Sequence, residues 1–270
     1  MAFYTLGCKL NFAETSTISR SFPEEHFERV SPDSKADVYV INTCTVTDTA
    51  DRKCRQAIRK FIQRSPEAVI AVVGCYAQLR PEAVSSIPGV DLILGNNEKF
   101  DVVRYLETRT GNKKPEIHLC GVLSPDQFNS SFSVGDRTRS FLKIQDGCDY
   151  NCAYCTIPLA RGPSRNEKIE VLIREAERIA GSGTREIVLT GVNIGDFGRS
   201  TGESLTRLLE QLVKIPGIER LRLSSIEPNL ITKEIIRLTA TEEKILPHFH
   251  IPLQSGSDNV LKLMRRRYKR

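Results

Sequence analysis

Nothing in the sequence is apolar for long enough to cross a bilayer. The longest runs, such as Ala68–Val73, fall far short of the ~20 residues a spanning helix needs. The opening residues, MAFYTLGCKLNF, lack the basic start, apolar centre and small-residue cleavage site of a secretory signal. There is no internal repeat and no low-complexity tract, and 40% hydrophobic with 27% charged residues excludes a disordered, collagen-like or coiled-coil chain. Also missing are G-x-x-x-x-G-K-[ST], G-x-G-x-x-G and H-E-x-x-H, which argues against phosphate-loop, dinucleotide and zinc-protease chemistry. What remains is a cytoplasmic globular protein without a membrane partner, its 270 residues enough for one or two domains.

Acidic residues are absent from the last ten positions, and this explains the overall charge. Lys and Arg number 39 against 33 Asp and Glu, a net +6. Leu261–Arg270 alone contributes six of the basic residues (Lys262, Arg265, Arg266, Arg267, Lys269, Arg270), so the remainder of the chain is neutral. The positive charge is a property of one end, read as a solvated helix end or a phosphate contact, and not a basic face.

Cysteine is what the sequence does have. Eight cysteines in a chain without a secretory signal point to metal or catalysis rather than disulfides. Cys148, Cys152 and Cys155 form C-x-x-x-C-x-x-C within GCDYNCAYCTIPLARG, a loop in which three thiolates can face one point as in iron–sulfur proteins; a zinc knuckle with a distant fourth ligand is the alternative. Cys8, Cys44 and Cys75 each follow a strand-like run, Phe3–Leu6, Asp37–Ile41 and Ala68–Val73. In a parallel sheet the loops after strands gather on one edge, where ligands bind, so these three form a second candidate set, or else core cysteines. Cys54, in a helical pattern over Thr49–Gln63, and Cys120 are read as bystanders.

Alternation of strand and helix patterns continues through Val90–Leu94 and Phe100–Glu107, and an irregular stretch over 111–140 suggests a linker. Strands are then expected at Phe141–Ile144, Glu186–Leu189, Arg220–Leu223 and His248–Leu253. The helices between and after them are expected at 167–180, 204–214, 232–238 and 258–264. Four such βα units resemble an unfinished barrel.

The cysteine loop after a first barrel strand resembles that of radical S-adenosylmethionine enzymes. TLGCKLNFAET, INTCTVTDTADRK and VVGCYAQ, with IPLARGPSR, LTGVNIGDFG, IEP and HIPLQSGSD, resemble the methylthiotransferase family over nearly all of the chain. The lysine in GCKLN and the TGVNIGDFG run make it similar to the bacterial branch that acts on N6-threonylcarbamoyladenosine beside the tRNA anticodon. The alternatives are the branches acting on isopentenyladenosine in tRNA or on a ribosomal-protein aspartate, and a non-catalytic iron–sulfur or zinc fragment that binds nucleic acid.

The resemblance implies an α/β chain: an amino-terminal open parallel sheet (Rossmann-like or flavodoxin-like) over 1–112, a linker over 113–137, and a partial radical S-adenosylmethionine (β/α) barrel over 138–270. It also implies two 4Fe–4S clusters and S-adenosylmethionine. Cys148, Cys152 and Cys155 would hold the cluster that cleaves S-adenosylmethionine to a 5′-deoxyadenosyl radical, and Cys8, Cys44 and Cys75 an auxiliary cluster carrying sulfur. Tyr154, Gly191, Asn193, Ser225, Glu227 and Gln254 are the implied cofactor-binding positions, with Val192 and Ser224 beside them. Partners would be a tRNA anticodon loop, a reducing electron donor and a sulfur source. Measured against the family's six βα units and carboxyl-terminal RNA-binding β-domain, the chain is expected to be truncated.

Lys9 and Asn11 are further candidates for substrate contacts, and Arg161 and Arg165 are read as contacts to RNA phosphates or members of a solvated loop. His248 and His250 alternate on an expected strand and so share a face, as packing residues or a two-histidine metal site.

Overall fold

Aliphatic and β-branched runs pair in parallel to build the first of two compact units, Met1–Leu123 together with Leu159–Arg161. The structure, a computed structural model, describes residues 1–111, 114–121, 127–135 and 138–270. In this unit β1 (Ala2–Thr5), β2 (Val38–Thr43), β3 (Val69–Gly74), β4 (Leu92–Leu94) and β5 (Glu116–His118) lie side by side in sequential order. The helices are α1 (Lys9–Arg20), α2 (Asp48–Arg64), α3 (Cys75–Leu79), α4 (Pro81–Ser85) and α5 (Val102–Glu107).

All four pairings are parallel, as expected of an open α/β sheet, but the order lacks the reversal that marks Rossmann and flavodoxin sheets. Both faces are buried. Tyr39, Ile41, Ile70 and Val72 face Cys54, Ala57, Ile58 and Phe61 of α2, while Val40, Ala71 and Val73 face the side of Ile18 and Val102. Burial on both sides explains why these strands read as unbroken apolar runs.

Two elements of this unit escape the sequence patterns. Helix α1 turns Asn11, Glu14, Thr15 and Ser16 inward beside Leu10, Ala13 and Ile18, so its buried face mixes polar with apolar residues and its apolar period is weak. Strand β5 pairs Glu116, Ile117 and His118 with β4, inside the stretch expected to be linker. Residues 113, 122–126 and 136–137 of that expected linker lie outside the described residues.

Helix α2 is started by Thr47, whose hydroxyl accepts the Ala50 N–H at 3.1 Å. Thr47→Ala is expected to cost about 1 kcal/mol in urea unfolding. An unchanged midpoint would remove the cap from the account.

The second unit comprises Ser124–Pro158 and Gly162–Arg270. It holds β6 (Ser131–Phe132), β7 (Ser140–Lys143), β8 (Gln145–Asp146), β9 (Arg165–Asn166), β10 (Glu186–Thr190) and β11 (Arg220–Leu223). Its helices are α7 (Ile169–Gly181), α8 (Leu205–Leu212), α9 (Lys233–Thr241) and α10 (Asp258–Leu263), while α6 (Ile157–Arg161) starts here and ends in the residues counted with the first unit.

Strands β7, β10 and β11 are parallel neighbours, β6 runs antiparallel to β7, and β8 and β9 form a separate short pair. The core joins Leu142, Ile187, Leu189, Leu221 and Leu223 to Leu172, Ala176 and Ile179 of α7 and Leu208, Leu209 and Leu212 of α8.

The fourth strand expected over His248–Leu253 is reduced to two isolated bridges, Leu221 with Ile245 and Ser225 with His250. Pro247 just before the segment and Pro252 within it have no N–H to give a ladder, which limits it to single bridges. His248 and His250 are both exposed, and the shared strand face inferred for them is not formed. Among the described residues no helix is long and apolar enough to cross a membrane.

Candidate functional site

The ends of β1, β2 and β3 carry the first cysteine set. Cys8 caps α1, Cys44 follows β2 directly, and Cys75 is the first residue of α3. Side chains at the three strand ends lace them together. Asn11 Nδ2 donates to Leu6 O and Thr43 O at 2.8 and 2.9 Å, Asn42 Nδ2 donates to Asn11 O at 3.0 Å, and Thr43 Oγ1 donates to Val73 O at 2.6 Å. Gly7, at φ +102°, lets the first turn lie against Cys44, where a Cβ would come within 2.6 Å of the Cys44 Cβ. Burial pushes the Cys44 thiol up, and the neighbouring Cys75 and Cys8 thiols push it the same way. All eight cysteines are free thiols.

Behind these thiols lies a network that the sequence did not reveal. Glu14 Oε2 pairs with Lys99 Nζ at 2.6 Å and Glu14 Oε1 with Arg161 Nη1 at 3.0 Å, all three side chains at most 1% exposed. Asn11 Oδ1 accepts from Arg161 Nη2 at 2.6 Å, and Asn96 Oδ1 accepts from Lys99 Nζ at 2.9 Å. Asn96 Nδ2 lies 3.6 Å from Cys75 Sγ. Arg161 is therefore neither a phosphate contact nor part of a solvated loop, because a buried guanidinium is held by the carboxylate it needs. Asn11 is likewise fully engaged and buried, whereas Lys9 is exposed.

The second set is built on the loop between β8 and α6. Gln145, fully buried, braces it: Nε2 donates to Asp146 O, Gly147 O and Ser164 Oγ, and Oε1 accepts the Asn193 N–H at 2.9 Å. Cys148 N donates to Gly162 O and Cys155 N to Cys152 O, both at 3.1 Å, while Ala153 N donates to Met264 O at 3.2 Å beyond α10. Burial drives the Cys148 thiol up to about 12, with Asp196 and the Cys155 and Cys152 thiols adding to the effect. Arg165, read from the sequence as an RNA phosphate contact or a member of a solvated loop, is buried on Asp146 Oδ2 at 3.0 Å and shares it with Lys143 at 2.9 Å.

Arg266 is a further residue that the sequence pattern placed in solvent or on a phosphate. It is buried rather than solvated, with Nη1 3.0 Å from Cys152 Sγ and 3.4 Å from the Tyr154 hydroxyl, and Nη2 on the Glu227 carboxylate. Burial works against its charge, but Glu227 more than offsets this and holds the guanidinium protonated. Burial in turn pushes the Glu227 carboxyl up, against the pull of Arg266. Arg267 also folds back, its guanidinium 4.1 Å from the centre of the Tyr150 ring and donating to Asp149 O. A run of like charges gave no sign of which members would be drawn inward.

Of the implied cofactor positions, Tyr154 and Glu227 meet at Arg266. Asn193 donates through Nδ2 to Asp196 Oδ2 and accepts the Glu227 N–H on Oδ1, and so joins the loops after β10 and β11. Gly191 abuts Gln145, and Ser225 O accepts the Ile194 N–H at 3.0 Å. Gln254 is exposed in a left-handed backbone conformation. Near these positions, Ser224 Oγ and Arg266 Nε are buried without a hydrogen-bond partner among the described residues. They fit a polar ligand beside Glu227.

Among the described residues no three His, Cys, Asp or Glu side chains converge closely enough to share one metal ion. Within each set the thiols lie near enough for their charges to raise one another's pKa.

A cysteine loop following the first of several parallel strands defines the radical S-adenosylmethionine class, and residues 142–270 match the Radical SAM superfamily. Residues 1–95 match the Uncharacterized protein family UPF0004. The chain is 42% identical over 272 residues to threonylcarbamoyladenosine tRNA methylthiotransferase MtaB of Bacillus subtilis (strain 168), covering 99% of this chain and 60% of that protein. It is 40% identical to the protein of the same name from Aquifex aeolicus (strain VF5), covering 100% and 66%. Over nearly its whole length this chain is thus similar to methylthiotransferases. It spans about three-fifths to two-thirds of the length of these curated relatives. The structure of the radical S-adenosylmethionine methyltransferase TsrM from Kitasatospora setae, with cobalamin and a [4Fe-4S] cluster bound, is similar in fold. It matches with TM-score 0.61 and 14% identity over 99% of this chain and 64% of that one.

Proposed function

We propose that this protein is a tRNA methylthiotransferase that adds a methylthio group to C2 of N6-threonylcarbamoyladenosine next to the anticodon. The observation that carries this reading is the pair of separate three-thiol sets, one following β1, β2 and β3 and the other in the loop between β8 and α6. Its substrate assignment rests on the likeness to the MtaB proteins. Cys148, Cys152 and Cys155 hold one 4Fe–4S cluster, and Cys8, Cys44 and Cys75 hold the other. When bound, these clusters and S-adenosylmethionine supply one-electron reduction and a place for the sulfur to be transferred.

The chain's own residues bind, orient and exclude water. Tyr154, about half exposed between two cluster ligands, offers its ring to the cofactor's adenine. Glu227, with Ser224 and Ser225, faces the ribose, while Gly191 and Asn193 shape the loop that receives the amino-acid end and Gln254 closes the rim. Residues 1–112 serve the auxiliary cluster and 138–270 the radical chemistry. The tRNA partner is met as a single-stranded loop whose target base is splayed out. A reducing electron donor and a sulfur source complete the reaction, and a tRNA substrate places the protein in the cytoplasm.

Iron and sulfide content after anaerobic reconstitution tests this. About eight irons per chain are expected, falling to about four when either cysteine set is replaced by alanine. Iron at one set only would exclude methylthio transfer, and zinc in its place would remove the enzyme reading altogether.

A further inference from the structure

The buried guanidinium of Arg266 ties together three groups far apart in the sequence. Nη1 lies 3.0 Å from Cys152 Sγ and 3.4 Å from the Tyr154 hydroxyl, and Nη2 meets the carboxylate of Glu227. The Arg266 side chain is 4% exposed and that of Glu227 12%. Arg266 Nε is buried without an acceptor among the described residues. A salt bridge that only pinned a loop would have no reason to direct a donor at a thiol.

We propose that Arg266 is a positioning residue of the cluster site. It donates a hydrogen bond to the Cys152 sulfur, which raises the cluster's reduction potential, and it fixes the Glu227 carboxylate for the cofactor. This rests on the reading of Cys148, Cys152 and Cys155 as cluster ligands. An N–H directed at a ligand sulfur draws off electron density and stabilises the reduced, more negative cluster, as does a nearby positive charge. Glu227 acts in the opposite sense through its negative charge. The geometry therefore sets a cation against the sulfur and an anion just behind it, and the two can be varied separately.

The test is potentiometric titration of the reconstituted full chain, followed by electron paramagnetic resonance. The relevant signal is the one lost in C148A/C152A/C155A. R266Q is expected to make reduction about tenfold less favourable, a shift of about 59 mV to more negative potential, with R266K between it and wild type. E227Q, which keeps the donor and removes the anion, is expected to move the potential upward. If R266Q takes up no iron, R266K and E227Q decide alone. Unmoved potentials, or shifts of the same sign in R266K and E227Q, would overturn the proposal. Absence of any iron at this set in wild type would instead overturn the reading on which it rests.

Discussion

Gly147→Ala is expected to strip the iron held by Cys148, Cys152 and Cys155 while leaving that at Cys8, Cys44 and Cys75. Gly147 sits at φ +68°, in the left-handed region that side chains rarely adopt. A Cβ there would meet the carbonyl oxygen of Pro163 at impossible range and that of Gly162 at 2.7 Å. Both are backbone atoms, so no rotamer change relieves the clash. The chain at 162–163 must move, and with it the Gly162 carbonyl that accepts the Cys148 N–H. The bonds of Gln145 to Gly147 O and Ser164 Oγ are strained at the same time. A cost of about 4 kcal/mol or more is expected, in the range reserved for severe substitutions. Iron content and the midpoint of thermal unfolding measure both effects. A variant with full iron and wild-type melting would show that the loop has slack which its contacts do not reveal.

Glu14→Leu is expected to destabilise the first unit by about 3–5 kcal/mol, because it leaves Lys99 and Arg161 buried without the carboxylate that both engage. The physical cause is desolvation. A cation inside protein is tolerable only beside its counter-charge, and here two cations converge on one carboxylate. The triple variant E14L/K99M/R161M removes all three charges and is expected to recover most of the loss, since apolar groups of similar volume can replace a buried ion network. Urea unfolding followed by circular dichroism distinguishes the cases. Equal stability of E14L and wild type would mean that the network is solvated in solution and contributes nothing to the fold.

The strands were legible because their signal is local. DVYVI and AVIAVV announce themselves by β-branching and continuous apolarity, and β2 and β3 form within a residue or two of those runs. The amphipathic helices α2, α7 and α8 were legible for the same reason. Helix α1 was not, since the face it buries sets Asn, Glu, Thr and Ser among only three apolar residues, Leu10, Ala13 and Ile18. Fourth-strand pairing failed where prolines removed the donors it required. Among charged residues, position in the sequence gave no guide. Arg161, Arg165 and Arg266 looked like exposed basic residues and are all buried on carboxylates.

By itself the sequence determined that this chain alternates strands and helices, that six of its eight cysteines fall into two sets of three, and that each set follows strand ends. Those facts depend on residue type and spacing over a few positions. Tertiary structure decided which polar side chains surround the thiols. Lys99 meets Glu14 across 85 residues, Arg161 meets it across 147, and Arg266 meets Cys152 across 114. A strand's period is written along the chain. A buried ion's partner is whichever opposite charge the fold brings within reach, and that is decided only when the whole chain has packed.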